Sequence, residues 1–547
     1  MTSRPLKILS PIVGLATATA VVAQQNMPPD PAALARLMAR SYWHVPDSPP
    51  APLVTSAAEA KRSCDDVRRA KLPEGMTVAS VTTMSVDQFN PTPWCKVVVR
   101  MAHPPARSIA TAWIGLPLKG WNGRFLGLGG GGWQGGAPLP LNPAVAKGFA
   151  VGLTDAGHPL DGEMNLSYRI VNDGSFVLDP DGRLDWSAVR NFAYQGVHDM
   201  TVAGKALATQ LYAVPPRYAY FSGCSTGGRQ GQSEVQRFPD DYDGVLSGAP
   251  AVNWTHFLTT TLWSQVVMRE IQPVAKCKLE AARAAAIKAC DPDDGLNDGV
   301  VSDPYACTFD PRQLIGVQTA CGMIDDKDAE VIRLIWDGPR RRDGSFMWYP
   351  QTRSTTFDFG GPTSADPTHG VPSPIVLGWL RYFLAQNPRY DPQNLDRAGF
   401  EQLFDQGLEQ FGAVMDTSNP DISAFAERGG KTLIWHGQDD SNIPAAGSIH
   451  YVDAITTKIG EARAKKALRF FLAPGTAHCG GGTGSTPTQM LDALIAWVEK
   501  GRAPEQLVAA PNPAADLPRS GLLCAYPRRA VVVAHKQPIG AASYRCK

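Results

Sequence analysis

The sequence predicts an α/β protein: a mostly parallel sheet with helices on both faces and a long helical insertion. Three observations carry that expectation. Short apolar runs bounded by turn residues alternate with helical patterns in the first and last parts of the chain. One of these runs passes through a tight glycine turn directly into a helix. The stretch from about 252 to 430 lacks the strand pattern and holds helical segments, aromatic residues and long loops. At 547 residues the chain is too long for one compact core, which agrees with two structural units.

Taken in order, the opening to about residue 75 is rich in Pro and Ala, with one helical stretch, Pro31 to Ala39. Strands are expected at Val78 to Thr83, Lys96 to Met101, Ile109 to Leu116, Arg124 to Leu128, Ala150 to Leu153, Tyr218 to Ser222 and Gly244 to Leu246. The pattern resumes with strands Thr432 to His436 and Leu468 to Leu472, each followed by a helix, Ala445 to Ile459 and Thr488 to Lys500. Between them, Glu280 to Ala289, Asp326 to Trp336 and Pro374 to Ala385 read as helices. Because the sheet pattern is complete without it, residues 252–430 are read as an inserted domain, with 24–251 and 431–547 forming the sheet domain.

Residues 1–23 read as an export signal. Arg4 and Lys7 give a positive start, Ile8 to Ala23 an apolar run, and Val21 and Ala23 the small residues before a cleavage site. Pro11, Gly14, Thr17 and Thr19 interrupt that run, and it is short for a bilayer span of ~20 apolar residues. All ten cysteines follow it and no CxxC pair occurs, so disulfides are expected rather than a thiolate metal site. The localisation this implies is secreted or periplasmic. With 52 basic and 51 acidic residues there is no electrostatic case for nucleic acid or an anionic membrane. Small, mostly neutral substrates are expected.

The chemistry centres on Gly223-Cys224-Ser225-Thr226-Gly227-Gly228, directly after the run 218–222. Glycines flanking the serine permit a sharp strand-to-helix turn that holds the hydroxyl out above the sheet edge. A serine of ordinary acidity needs a base, and the base an orienting carboxylate. His478 follows the strand 468–472 in Gly475-Thr-Ala-His-Cys-Gly-Gly and suits the base. The acid is one of the adjacent pair Asp439 and Asp440, after the strand ending at His436; position alone leaves both open. His436, in a strand, and His450, in a helix, are assigned to packing or capping, and His198 precedes the serine in the wrong order. Oxyanion donors are expected from the Thr226 N–H and from Gly129-Gly-Gly-Gly132, where glycine lets amides approach closely. Cys224 and Cys479 flank the serine and the histidine. A bond between them would make those two residues neighbours, with Cα atoms about 5.5 Å apart. In the insert, Asp291-Pro-Asp-Asp294-Gly-Leu296-Asn-Asp298-Gly-Val300 spaces oxygens and glycines like a calcium loop, although no bidentate Glu closes it.

Together these residues resemble the tannase and feruloyl esterase family, which also contains a terephthalate-monoester hydrolase. The resemblance spans nearly the whole mature chain. It rests on 223–228, Thr154-Asp-Ala-Gly-His158, Asn191-Phe-Ala-Tyr194, the 291–300 loop and His478-Cys479. It implies an α/β-hydrolase fold with a large inserted lid domain and a Ser225–His478–Asp440 triad, the family's His-Gly-x-x-Asp pattern selecting Asp440. It further implies a Cys224–Cys479 disulfide, and Gly132 and Thr226 stand as the oxyanion donors expected from the glycine run and the elbow. Structural Ca²⁺ in the lid would be held by the side chains of Asp291, Asp294 and Asp298 and the carbonyls of Leu296 and Val300. The implied remaining pairs are Cys64–Cys95, Cys277–Cys321, Cys290–Cys307 and Cys524–Cys546, with the two lid pairs exchangeable. No organic cofactor is expected. Esters of aromatic acids are the implied substrates, and Thr226 matches the feruloyl esterase or tannase form rather than the terephthalate branch. Trp254, Trp348, Trp379 and Phe383 are candidates for an aryl pocket, with more of them expected in the core than in the pocket. Arg381 is a candidate for a substrate carboxylate, with a surface ion pair as its ordinary role. A secreted serine peptidase and a calcium-dependent binding protein are the alternatives from other classes.

Overall fold

A computed structural model describes residues 49–53, 59–86, 90–159, 172–357, 372–511, 520–533 and 540–547. The expected export signal and the helix at Pro31 to Ala39 lie outside the described residues. Nine strands form the main sheet: β1 (Met76–Met84), β2 (Trp94–Ala102), β3 (Ile109–Pro117), β4 (Arg124–Leu128), β5 (Ala150–Thr154), β6 (Tyr218–Cys224), β7 (Gly244–Gly248), β8 (Lys431–Gly437) and β9 (Leu468–Ala473). Their order across the sheet is β1-β2-β3-β5-β4-β6-β7-β8-β9. From β5 to β9 neighbouring strands run parallel, whereas β1, β2, β3 and β5 pair antiparallel. The sheet is therefore mixed.

Burial explains that division. β4, β5 and β7 are buried along their whole length, as strands covered on both faces must be, whereas β1 at the edge has no fully buried residue. Helix α1 (Gly196–Tyr212) sets Val197, Met200 and Leu207 against one face, joining Val99, Phe125, Phe221 and Ile434. On the other face Leu126, Tyr220, Leu433 and Trp435 meet Leu491, Leu494 and Trp497. Helix α2 (Thr226–Arg237) follows β6, helix α3 (Trp254–Thr260) opens the insertion, and α4 (Ala445–Ile459) and α5 (Met490–Lys500) follow β8 and β9.

β7 and β8 are hydrogen-bonded neighbours, so residues 249–430 leave and re-enter the sheet between adjacent strands. The expected helices there occur at Lys276–Cys290 and Asp326–Asp337, while Pro374–Gly378 continues as a π-helical turn, Trp379–Leu384. These helices, with α3 and Arg397–Met415, enclose a separate core of Trp254, Phe257, Trp263, Trp379, Phe383, Phe400 and Phe411. Trp133, from the loop after β4, belongs to that core and joins the insertion to the sheet. Among the described residues no helix is long and apolar enough to cross a membrane. The five disulfides are Cys64–Cys95, Cys224–Cys479, Cys277–Cys321, Cys290–Cys307 and Cys524–Cys546.

The sheet interior also holds a buried ion pair. Arg124 on β4 donates through two nitrogens to the two carboxylate oxygens of Glu499 on α5, both at 2.6 Å. The Tyr220 hydroxyl donates to the same carboxylate at 2.8 Å. Truncating one member of a buried pair strands the other charge. Glu499→Ala is thus expected to lower unfolding stability by about 3–5 kcal/mol, read as an earlier urea midpoint.

Candidate active site

β6 ends at Cys224, and Ser225 takes φ 63°, ψ −123° before α2 begins at Thr226. That left-handed turn is the strained elbow expected from the glycines. A Cβ at Gly223 would lie 2.7 Å from the Gly227 backbone, and one at Gly228 only 2.5 Å from the Gly248 carbonyl oxygen. Ser225 donates its N–H to Gly248 and accepts from Ala251, so β7 and the start of the insertion both fix it.

The turns after β8 and β9 are laced together. Gln438 donates its N–H to the Ala473 carbonyl and Asp439 donates to Thr476. This brings Asp440 under His478, whose Nδ1 lies 2.7 Å from Asp440 Oδ2. The other oxygen, Oδ1, accepts the N–H groups of Asn442 and Ile443 at 2.8 and 2.9 Å. Burial pushes the Asp440 carboxyl up. The neighbouring His478, with hydrogen bonds from His436 and His478, more than offsets this and holds it well below the usual carboxylate range. Asp439 faces the other way, accepting from Ser354 Oγ at 2.6 Å, and burial raises its pKa. The Cys224–Cys479 bond holds its two Cα atoms 6.0 Å apart, tying the Ser225 turn to the His478 loop.

His436 is more than the packing residue expected from sequence. Its buried ring sets Nε2 3.1 Å from Asp440 Oδ2 and Nδ1 2.8 Å from Ser448 Oγ. The i, i+4 spacing of His436 and Asp440 was the available signal. His198, as expected, lies elsewhere, with Nδ1 2.6 Å from Asp241.

After β4, Gly129 donates to the Ser222 carbonyl, and Gly131 and Gln134 exchange backbone hydrogen bonds around a tip formed by Gly132 and Trp133. The Thr226 hydroxyl donates to the Gly132 carbonyl at 2.7 Å, so the two expected oxyanion residues are side by side. The Thr226 N–H belongs to the first turn of α2, where amides lack intrahelical partners. His158 Nδ1 lies 2.9 Å from the Trp133 carbonyl oxygen, which places the 154–158 motif behind this loop. The 191–194 motif forms a π-helical turn held by Arg229, which donates to the Phe192 and Ala193 carbonyls at 3.0 Å each. Arg229 sits fully buried between the rings of Phe192 and Trp254, and burial pulls its pKa down to about 9. Sequence reasoning passed over it.

The aryl-pocket candidates take the core role that sequence favoured for most of them. Trp254, Trp379 and Phe383 are buried in the insertion core, Phe383 stacked on Trp133, and Trp348 packs against His256. A helical insertion needs these large apolar side chains for its own stability. Arg381 Nε donates to the Tyr390 carbonyl.

Among the described residues, two places gather side chains that could hold a metal ion. Asp291 accepts the N–H groups of Asp298 and Gly299 at 3.3 and 2.9 Å. Asp294 and Asp298 each accept the N–H two residues on, at 2.9 Å, and Gly295 and Gly299 turn the chain at positive φ. The 291–300 loop thus folds on itself with oxygen donors only, a set that fits a hard cation. It also touches the histidine loop, where Thr483 Oγ1 donates to the Gly299 carbonyl. His198, Glu234 and Asp241 form a second cluster, but the Lys205 ammonium, bonded to the Asp241 carbonyl, already supplies positive charge there. A cavity of about 270 Å³ beside the Asp298–Val300 turn is lined by Pro474, Leu522 and Tyr526, not by Ser225, Asp440 or His478.

A serine at a strand-to-helix elbow, with an Asp–His pair above the same sheet, is the architecture of an α/β-hydrolase. A family model described as tannase and feruloyl esterase matches residues 95–547. A probable feruloyl esterase of Arthroderma benhamiae is 38% identical over 451 residues, covering 79% of this chain and 82% of that protein. The mono(2-hydroxyethyl) terephthalate hydrolase of Piscinibacter sakaiensis is 30% identical over 480 residues, covering 75% and 76%. The solved tannin acyl hydrolase of Aspergillus niger superposes with a TM-score of 0.78 at 26% identity, over 89% of this chain and 94% of that one. The chain belongs to the tannase and feruloyl esterase family of carboxylic-ester hydrolases.

Asp155, in the motif behind the glycine loop, gives a pH signature. Burial raises its carboxyl to about 6, against hydrogen bonds from the Thr111 and Gly157 N–H groups. Between about pH 4 and 6 the folded chain therefore keeps a proton that the unfolded chain has lost. This group's contribution is full below that window, falls as pH rises through it, and stays lost above it. Asp155→Asn, which retains an acceptor oxygen, should gain about 2–3 kcal/mol relative to wild type between pH 4 and 7. Urea unfolding across that range measures it.

Proposed function

We propose that this chain is an exported serine esterase that releases aromatic acids from their esters through an acyl-enzyme. The observation that carries the reading is the Asp440–His478 pair at 2.7 Å, tied by the Cys224–Cys479 bond to the Ser225 elbow. In this mechanism His478 takes the Ser225 proton as the hydroxyl oxygen attacks the ester carbonyl. Asp440 stays ionised, fixes the His478 tautomer and stabilises the imidazolium. The Gly132 and Thr226 N–H groups receive the developing oxyanion. The ester C–O bond then breaks, the alcohol leaves with the proton from His478, and water attacks the acyl-serine by the same steps. The names of the relatives, feruloyl esterases and tannin acyl hydrolase among them, support an aromatic acyl group. Residues 252–430 act as a lid domain in this reading. The five disulfides support a secreted or periplasmic location.

Turnover of methyl ferulate, methyl gallate and mono(2-hydroxyethyl) terephthalate tests the proposal. One of the first two is expected to be preferred, and Ser225→Ala to lose at least about a thousandfold in kcat with unchanged melting. Preference for the third would move the chain to the terephthalate branch. Cleavage of unactivated peptides instead would make it a peptidase, and retained activity in Ser225→Ala would sink the serine mechanism.

Ca²⁺ is proposed at the 291–300 loop, on Asp291, Asp294 and Asp298 and the carbonyls of Leu296 and Val300, where it would neutralise clustered carboxylates and stiffen the support of the histidine loop. At a hundredfold excess over its Kd, a cation bound only by the folded chain stabilises by about 2.7 kcal/mol. Chelation should lower the melting temperature correspondingly and Ca²⁺ should restore it. Asp291→Ala should show neither response.

A further inference from the structure

The loop that carries the Gly132 N–H is mostly glycine, and glycine backbone has the most freedom to lose on ordering. A donor on such a loop is useful to a reaction only if something fixes it. β4 fixes the start alone, through the Gly129 N–H to the Ser222 carbonyl. The rest is gripped by α2. Gln230, five residues after Ser225 and fully buried, takes both legs of the turn with one carboxamide. Its Oε1 accepts the Gly130 N–H at 3.0 Å and its Nε2 donates to the Gly135 carbonyl at 3.1 Å. Thr226 Oγ1 holds the tip through the Gly132 carbonyl, and the Gly227 N–H donates to the Gly130 carbonyl at 3.0 Å. The fit is close enough to exclude side chains. A Cβ at Gly129 would lie 2.4 Å from Gly227 Cα and 2.9 Å from Gln230 Oε1, and one at Gly130 would lie 2.1 Å from the Gln134 carbonyl oxygen.

We propose that Gln230 is a positioning residue that locks the Gly129–Gly135 turn to the helix bearing Ser225, and so sets the Gly132 N–H against the reacting carbonyl. The proposal rests on the esterase reading above, with Gly132 as an oxyanion donor. Only a carboxamide of this length both accepts from one leg and donates to the other. A carboxylate at 230 keeps the acceptor and loses the donor, and a thioether of similar length loses both. Negative charge on the substrate oxygen develops only in the tetrahedral state, so a loosened donor penalises kcat and leaves binding of the ground-state ester alone.

The experiment compares the full chain with Gln230→Met, Gln230→Glu and Ser225→Ala. It measures kcat and KM on the ester the wild type prefers, and inhibition by a trifluoromethyl ketone analogue of that ester, which adds a serine oxygen to form a tetrahedral oxyanion. Gln230→Met is expected to lose about 10²-fold in kcat, the size of effect seen when one oxyanion donor is removed. KM should stay within about twofold, and ketone inhibition should weaken in parallel with kcat. Gln230→Glu should fall between Met and wild type. Unchanged kcat in both folded variants overturns the proposal, as does a loss carried by KM with ketone binding intact. Hydrogen exchange of the 129–135 amides, read by mass spectrometry on the same proteins, keeps the two hypotheses separate. Faster exchange of that segment in both variants is expected, and unchanged exchange overturns the clamp whether or not any ester is cleaved. Failure of the wild type to cleave esters, or activity in Ser225→Ala, counts against the esterase reading instead.

Discussion

The Cys224–Cys479 bond is the constraint on which the site's geometry turns. β6 and β9 are not neighbours; β7 and β8 lie between them. Three interstrand gaps put the ends of β6 and β9 about 14 Å apart. Yet Cys224 closes β6, Cys479 follows β9, and their Cα atoms are 6.0 Å apart. The histidine loop must therefore lean back across the tops of two strands, passing over the Asp440 turn at the end of β8. The lacing of 438–439 to 473–476 supports that lean from below, and the Gly299–Thr483 contact supports it from the insertion. A free loop of glycines at 480–482 would have no reason to hold this course.

Helix α2 supplies the complementary order. It is buried from Thr226 to Val235, although its residues are mostly polar. That would be costly if those groups were unpartnered. Most instead serve as brackets: Thr226 and Gln230 to the glycine turn, Arg229 to the π-helical turn, and Gln232 to Ser247 on β7 and Thr432 on β8. One rigid element thus reaches the loops after β4, the strands on either side of the insertion and the wall at 191–195.

Much of this was legible in the sequence, and the reason is local chemistry. The parallel strands announce themselves as short apolar runs, the elbow as glycines around a serine, and the His478 loop as a glycine turn after a strand. Choosing Asp440 over Asp439 needed family resemblance, because neighbouring residues share every local signal and only the direction of their side chains separates them. Arg229 and Gln230 were invisible for another reason: polar residues on a helix normally face water, and nothing along the chain says that loops from elsewhere will cover them. Which aromatic residues of the insertion are core could not be read along the chain, since large apolar side chains in a helical layer carry the same local signal wherever they pack.

The position of the insertion has a consequence for how this scaffold can diversify. Its two ends leave adjacent parallel strands, β7 and β8. The chain exits after Gly248 at the end of β7 and returns at Lys431, which pairs with Gly244 at the start of β7, so about 14 Å separates exit from return whatever lies between. A helical module of another length or shape can be grafted there without shifting the register of a single strand. The sheet and its turns can stay constant while the inserted surface drifts. Trp133 marks the limit of that independence, since its ring is part of the insertion's core while its backbone belongs to the glycine turn. Any replacement must bring a socket for that one indole.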